Sequence, residues 1–383
     1  MSEHYVNPAP FDPASIEKLS PTQEKYYLAS QWKLMYWKFR RHRIAVISAI
    51  FLALLYGSTL ISEFLAPYAQ DTRDADHIYS PPQPVHFFNK EGEFVGPFVY
   101  GWEYTLNMDK LLREYHEDTN QVYPVEFFCN GDGYHLLGLI YSEKHLFCAA
   151  DNQPLFLLGT DRLGRDMLSR IIYGARISLT IGLLGIALSF ALGLVLGGLA
   201  GYYGGWVDAC VQRSIEVIRS FPELPLWMAL SAVLPVTWSP LWVFFGITLI
   251  LALLDWTSLA RAVRSKILSL REEDYCSAAQ LMGATPARIV RRHLLPGFFS
   301  HLIASASLSI PAMILGETAL SFLGLGLRPP ITSWGVLLNE AQNINVVAIY
   351  PWLMLPVVPV ILVILAFNFF GDGLRDAADP YKN

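Results

Sequence analysis

Five long runs without a charged residue dominate this 383-residue chain, at residues 44–62, 177–207, 224–254, 294–316 and 341–371. A helix needs roughly 18 or more apolar residues to cross a hydrocarbon core of about 30 Å at 1.5 Å per residue. Each run reaches that length. One such run could be a buried core helix, but five in a single chain exceed what a soluble core can hide. Composition agrees. Hydrophobic residues make up 53% of the chain and charged residues only 16%, against roughly 25% in an ordinary soluble domain. The mean hydropathy is +0.34. These values exclude a disordered chain and a disulfide-stapled miniprotein, and they point to an all-α polytopic membrane protein. The first apolar run starts only at Ile44, after a long polar segment, so no cleavable signal peptide is expected.

Basic residues set the expected orientation. Lys33, Lys38, Arg40, Arg41 and Arg43 precede the first run. A second group, Arg261, Arg264, Lys266, Arg271, Arg288, Arg291 and Arg292, lies between the third and fourth runs. Lys and Arg flanking a span stay on the cytoplasmic side, so an even number of crossings must separate the groups. Crossings at 44–65, 177–201 and 241–260 give three. The fourth must be 207–234, which carries Asp208, Arg213, Glu216, Arg219 and Glu223 and is the weakest span. Two more, at 297–319 and 349–370, give six in all with both termini cytoplasmic. Arg162, Arg165, Arg170 and Arg176 then fall outside, against the charge rule, with Asp161 and Asp166 as partial offsets.

The expected division is a cytoplasmic segment 1–43, a first transmembrane helix 44–66, an extracytoplasmic insert 67–160 and a five-helix core 161–383. Between Pro67 and Pro154 there are 14 acidic and 5 basic residues, with aromatic runs separated by Gly and Pro. That composition supports a small α+β domain with several strands, and a short helix is expected over Met108–Glu117. Cys129 and Cys148 both lie in the insert, and an oxidising compartment favours a bridge between them. Cys210 and Cys276 read as plain small residues.

Several chemistries find no motif. No Gly-x-x-x-x-Gly-Lys-Ser/Thr phosphate loop occurs, so no ATP site is expected in this chain. No metal-binding His-Glu-x-x-His and no Gly-x-Ser-x-Gly nucleophile elbow occurs, so no catalytic and no metal-ligating residue is assigned. Basic residues cluster beside the spans, which gives no nucleic-acid footprint. Glu317 is the main charge inside a span, and it either lines a polar path or bonds at the headgroup level. Asp255 reads as interfacial. The second span carries small residues at every fourth position: Gly185, Ser189, Gly193, Gly197, Gly201 and Gly205. Such rows let helices approach closely in lipid, within the chain or with another subunit.

The most specific segment runs from Tyr275 to Pro296. Glu272–Met282 is good helix material, with acidic residues where the helix dipole favours them. Gly283 suits a left-handed helix end. Thr285 and Pro286 suit the cap and first position of a following helix. This segment resembles the EAA loop of ABC importer permeases. Ala278, Ala279, Gly283, Leu295 and Pro296 match, while Ser277 stands at the usual glutamate position. Leu158–Arg170, Gly201–Asp208, Leu320–Leu327, Ser333–Gly335 and Gly371–Pro380 are similar to the peptide/nickel branch of that family, specifically the C-type subunit of oligopeptide and dipeptide permeases.

The resemblance implies a type I ABC importer permease fold in a bacterial inner membrane. It implies a coupling loop over 264–296 whose helix, about 274–287, docks on a separate ATPase. It also implies a distinct homologous permease as heterodimer partner, two ATPase subunits that hold ATP and Mg, and an extracytoplasmic solute-binding protein. The solute class is peptides by default, with nickel, opines and oligosaccharides as alternatives. An ion-coupled carrier or channel without an ATPase is the competing class, and a membrane enzyme built around the insert is a third.

Overall fold

The computed structural model describes residues 28–378 apart from 91, 110, 111 and 236. Most of the expected N-terminal segment, and the last two residues of the Gly371–Pro380 motif, lie outside the described residues. Among the described residues, five helices are long and apolar enough to cross a membrane: Arg43–Leu60, Met167–Tyr203, Pro240–Leu270, Leu302–Phe322 and Pro351–Ala378.

Helix α1 (Gln31–Arg41) carries Lys38, Arg40 and Arg41 in its last turn and leads into α2 (Arg43–Leu60) and a short α3 (Ser62–Leu65). After the insert comes α4 (Met167–Tyr203), 37 residues long. It starts ten residues before the expected 177, because Asp166 caps it by accepting from the Ser169 N–H at 2.7 Å. Gly204, at φ 64°, ends it. The expected third crossing, 207–234, is two helices: α5 (Gly205–Arg219) and α6 (Glu223–Ala232). They part at Pro222, which has no N–H to continue the ladder and disfavours helix in the residue before it. Helix α7 (Pro240–Leu270) is 31 residues long and continues ten residues beyond the expected end at 260.

Then follow α8 (Asp274–Leu281), α9 (Pro286–Ile289), a π turn and a 3-10 turn to Phe298, and α10 (Phe299–Phe322). Helices α11 (Trp334–Glu340) and α12 (Ile344–Ile349) lie before the last long helix, α13 (Val357–Ala378). The central core joins α2, α4, α10, α11 and α13 through Leu52, Leu179, Ile314, Trp334 and Val363.

Helix α4 lies along α7, and its row of small residues makes the approach. A Cβ on Gly197 would fall 2.5 Å from the Ala260 carbonyl oxygen, and one on Gly201 2.9 Å from that of Arg264. Gly193 faces Leu259 in the same way, but Gly185 faces Met313 of α10. A spacing of four drifts around a helix of 3.6 residues per turn, so one row serves two neighbours. The expected Gly205 is not part of this face. It follows the helix end, at φ 51°, with open space where a Cβ would be.

The insert is mainly β. Strands β1 (His86–Phe88), β2 (Phe94–Asn107), β3 (Leu112–Phe127) and β6 (Phe147–Ala149) form an antiparallel sheet in the order 1-2-3-6. Strands β4 (Asn130–Leu136) and β5 (Ile140–Lys144) form a separate hairpin. The short helix expected over Met108–Glu117 is not formed. Residues from Leu112 onward pair with β2, from Asn107↔Leu112 to Phe98↔Pro124. This long-range ladder and its cross-strand aromatic pair Tyr104–Tyr115 override the local helix preference. Cys129 and Cys148 are joined by a disulfide with their Cα atoms 6.2 Å apart.

Three of the four arginines that conflict with the charge rule are paired. Asp161 accepts from the Arg165 Nε at 2.7 Å and from Arg170, and Glu340 Oε1 accepts from both arginines at 3.2 Å. Arg176 meets Glu63 in a two-pronged contact at 2.7 and 2.6 Å. In the same loop Gly164, at φ 71°, sits where a Cβ would fall 1.8 Å from the Asp74 carbonyl oxygen, so only glycine fits.

The insert is tied to the helices. His145, buried, bonds the Ala66 carbonyl at 2.5 Å, and the Leu146 N–H donates to the Phe64 carbonyl at 2.8 Å. The Tyr79 ring stacks on Tyr350 at 4.1 Å, and the Trp352 indole donates to the Thr160 carbonyl at 3.0 Å.

Candidate functional site

The loop between α7 and α10 is a short helix, a tight reversal and a second turn. Helix α8 occupies Asp274–Leu281, within the expected 272–282. Gly283 is at φ 80°, and its N–H donates to the Gln280 carbonyl at 2.9 Å. Thr285 accepts from the Arg288 N–H and Pro286 opens α9. One face of α8 is anchored. Cys276 and Ala279 are buried against Val263, Ile267, Ile289, Leu294 and Phe298. Ser277, Ala278, Gly283 and Pro296 are exposed, and Leu295 is half-buried. The motif residues therefore divide, with Ala279 holding the loop to the bundle and Ser277, Ala278 and Gly283 facing outward.

Leu281 and Met282 were not singled out by sequence reasoning, and they are the most conspicuous residues here. They lie at the loop's tip with exposures of 90% and 81%. Two adjacent large apolar side chains directly before a helix-ending glycine were the available signal. Exposed apolar groups of this kind mark interaction surfaces.

Glu317 is fully buried. It accepts hydrogen bonds from Ser333 Oγ at 2.6 Å, Ser321 Oγ at 2.8 Å and Ser178 Oγ at 3.1 Å. Ser178 Oγ in turn accepts from the Trp334 N–H at 3.2 Å, and Ser321 Oγ from the Leu327 N–H at 3.0 Å. The carboxyl thus links α4, α10 and the start of α11. It is closed to solvent and bonded to three hydroxyls.

A cavity of about 280 Å³ opens at the break between α5 and α6. Arg219, Glu223 and Trp227 line it from those helices, Asp255 from α7 and Met313 from α10. Arg219 Nε donates to Thr257 Oγ1 at 3.2 Å, and its Nη2 to Ser258 Oγ at 2.5 Å. Asp255 accepts from Ser189 Oγ at 3.2 Å. The sequence alone places Asp255 at the interface and Arg219 and Glu223 within the weakest expected span. Bringing them together depends on the break at Pro222, which periodicity alone does not reveal.

Among the described residues, no group of three or more His, Cys, Asp and Glu is placed to hold a metal ion. Outside the spans, burial pushes the Asp166 carboxyl up to about 6, against hydrogen bonds from Ser169 that favour its ionised form.

Residues 193–382 match the family model described as "Binding-protein-dependent transport system inner membrane component". Residues 30–82 match the N-terminal transmembrane domain of oligopeptide transport permease C. Residues 83–192, which hold the sheet, fall in neither match. The chain is 39% identical over 223 residues to the dipeptide transport system permease protein DppC of Alkalihalophilus pseudofirmus, covering 58% of this chain and 71% of that one. It is 40% identical to the glutathione transport system permease protein GsiD of Pectobacterium atrosepticum, over 58% of this chain and 72% of that one. Identity to the oligopeptide transport system permease protein OppC of Haemophilus influenzae is 38%, over 58% and 69%. A chain of the inward-facing MetNI methionine ABC transporter superposes with a TM-score of 0.44 at 20% identity, over 55% of this chain and 97% of that chain. On the length and identity of these matches, the chain belongs to the inner membrane permease components of binding-protein-dependent peptide transport systems.

Proposed function

We propose that this chain forms half of the translocation path of an ATP-driven importer for peptides or similar small solutes. A homologous but distinct permease supplies the other half. Two separate ATPase subunits hold ATP and Mg, and an extracytoplasmic binding protein delivers the solute. In this reading the chain is no enzyme itself and has six crossings, the third being α5 and α6 together. Both termini face the cytoplasm, and residues 67–160 form the extracytoplasmic insert. The acidic sheet of that insert serves to dock the binding protein or gate the outer mouth.

The loop Asp274–Ile289 carries the proposal. It is a helix anchored on one face by Cys276 and Ala279 and offering Leu281 and Met282 at its tip. A rigid projection with an apolar end fits a groove on a partner. Closure of two ATPases on ATP would then move two such loops and rock the permease halves. Ser277, Ala278, Ala279, Gly283, Leu295 and Pro296 hold or present this projection.

The test is site-specific cross-linking. A cysteine at Met282 in the assembled importer should couple to the ATPase subunit, and the yield should change on ATP binding. ATP-independent uptake by this chain alone, with no ATPase contact at Met282, would instead establish the carrier or channel reading.

A further inference from the structure

The cavity at the α5–α6 break holds three charged side chains where the proposed third crossing is interrupted. Charge in a span is costly and is retained where it faces a cavity and does work. Irregular backbone at membrane depth is likewise tolerated where it lines a cavity. Arg219 and Asp255 are both secured, yet not by each other. Arg219 is held by the hydroxyls of Thr257 and Ser258, and Asp255 by Ser189. No ion pair joins Arg219 to either carboxylate among the described residues. Glu223 adds a second acidic group to the same wall. Trp227 adds its ring to the wall. Leu251, Leu254 and Met313 complete the wall with apolar surface.

We propose that this cavity is a subsite for the charged ends of a small zwitterionic solute. Arg219 takes the carboxylate. Asp255 and Glu223 take the ammonium group. A guanidinium fixed by hydroxyls is already oriented, so it loses little freedom on binding a carboxylate. The apolar wall accepts a side chain without selecting its shape. The volume lies near the lower end of small-molecule sites, roughly 300–1,000 Å³, which suits one or two residues of a peptide at a time. The inference rests on the transport function proposed above and names the part of the solute that this chain reads.

The test uses the importer assembled with its partner permease, ATPases and binding protein in vesicles. The probe is alanyl-benzoylphenylalanine, whose side chain cross-links on illumination. Its adduct should map to Leu226, Trp227 or Met313. Arg219→Gln and Asp255→Asn should each lower the yield about tenfold, as loss of one charge-assisted contact does. Arg219→Lys, which keeps the charge and changes the hydroxyl contacts, should retain most of it. Co-purification of the ATPases checks that each variant assembles. Adducts only outside the cavity, or an undiminished yield in both neutral variants, would overturn the inference. So would full competition by glycerophosphoethanolamine, which would make the site a reader of lipid headgroups. ATP-dependent dipeptide uptake by the unaltered importer is measured alongside. If that uptake is absent, the transport proposal fails; if it is present with the cavity unlabelled, only the subsite fails.

Discussion

Arg170, in the first turn of α4, donates to Glu340 at the end of α11 across 3.2 Å, with side-chain exposures of 2% and 10%. The same guanidinium contacts Asp161, which also holds Arg165. The segment before the second span is thereby fastened to the segment before the last. Arg170→Met would leave the buried Asp161 with Arg165 as its one cationic partner among the described residues. Breaking one side of a buried pair costs about 3–5 kcal/mol. Thermal unfolding of the detergent-solubilised protein should show a large drop for Arg170→Met and a smaller one for Arg165→Met, which retains the Arg170 contact.

Gly283 tests the coupling loop. Its φ of 80° is strained for any β-branched residue, although open space surrounds its Cα. Gly283→Val should therefore distort the loop without a clash in the bundle. The importer should still assemble, while solute-stimulated ATP hydrolysis and uptake fall together. Full transport by the variant would refute the coupling role.

The α4–α7 contact separates two neighbouring glycines. Gly197→Ala puts a methyl 2.5 Å from the Ala260 carbonyl oxygen, whereas Gly198→Ala meets nothing nearer than Val290 at 3.8 Å. Overpacking typically costs about 1–3 kcal/mol. Melting temperatures should fall for Gly197→Ala and hold or rise for Gly198→Ala, where the added methyl also favours helix.

The Cys129–Cys148 bridge spans 19 residues of the insert. A loop of that size is worth about 3 kcal/mol. Replacing both cysteines with serine should loosen the β4–β5 hairpin and leave the membrane helices intact. Limited proteolysis should cut between residues 129 and 148 in the variant and not in the oxidised parent.

Asp166 predicts a pH effect. Burial holds its folded-state pKa at about 6, above the ordinary value of 3.8. A carboxyl raised on folding favours the folded state when protonated, so its contribution is lost as pH rises from about 4 to 6. Asp166→Asn keeps a cap acceptor for the Ser169 N–H and removes the titration. The variant should gain on the parent in melting temperature between pH 5 and 7, and the two should converge near pH 4.

The long spans were legible because uninterrupted apolar runs are a local signal, as at 177–201 and 349–370. The reversal at Gly283, Thr285 and Pro286 was legible for the same reason, since each residue type answers a local backbone demand. Strand β3 was not, because Leu112–Glu117 takes its conformation from partners on β2 and not from its own periodicity. The grouping of Arg219, Glu223 and Asp255 was also hidden. It needs the helix break at Pro222, which brings α5 and α6 against residues 251–258 of α7, and that break does not show in hydropathy. Glu317 was visible as an intramembrane acid, but its three hydroxyl donors come from residues 178, 321 and 333, which only the packed bundle gathers.

The stacking of Tyr79 on Tyr350 and the grip of Trp352 on Thr160 make the sheet and the approach to α13 a single mechanical piece. A pull on the strands is therefore passed toward the final helix through two aromatic fasteners. Whatever seizes the sheet has a hand on the last crossing as well.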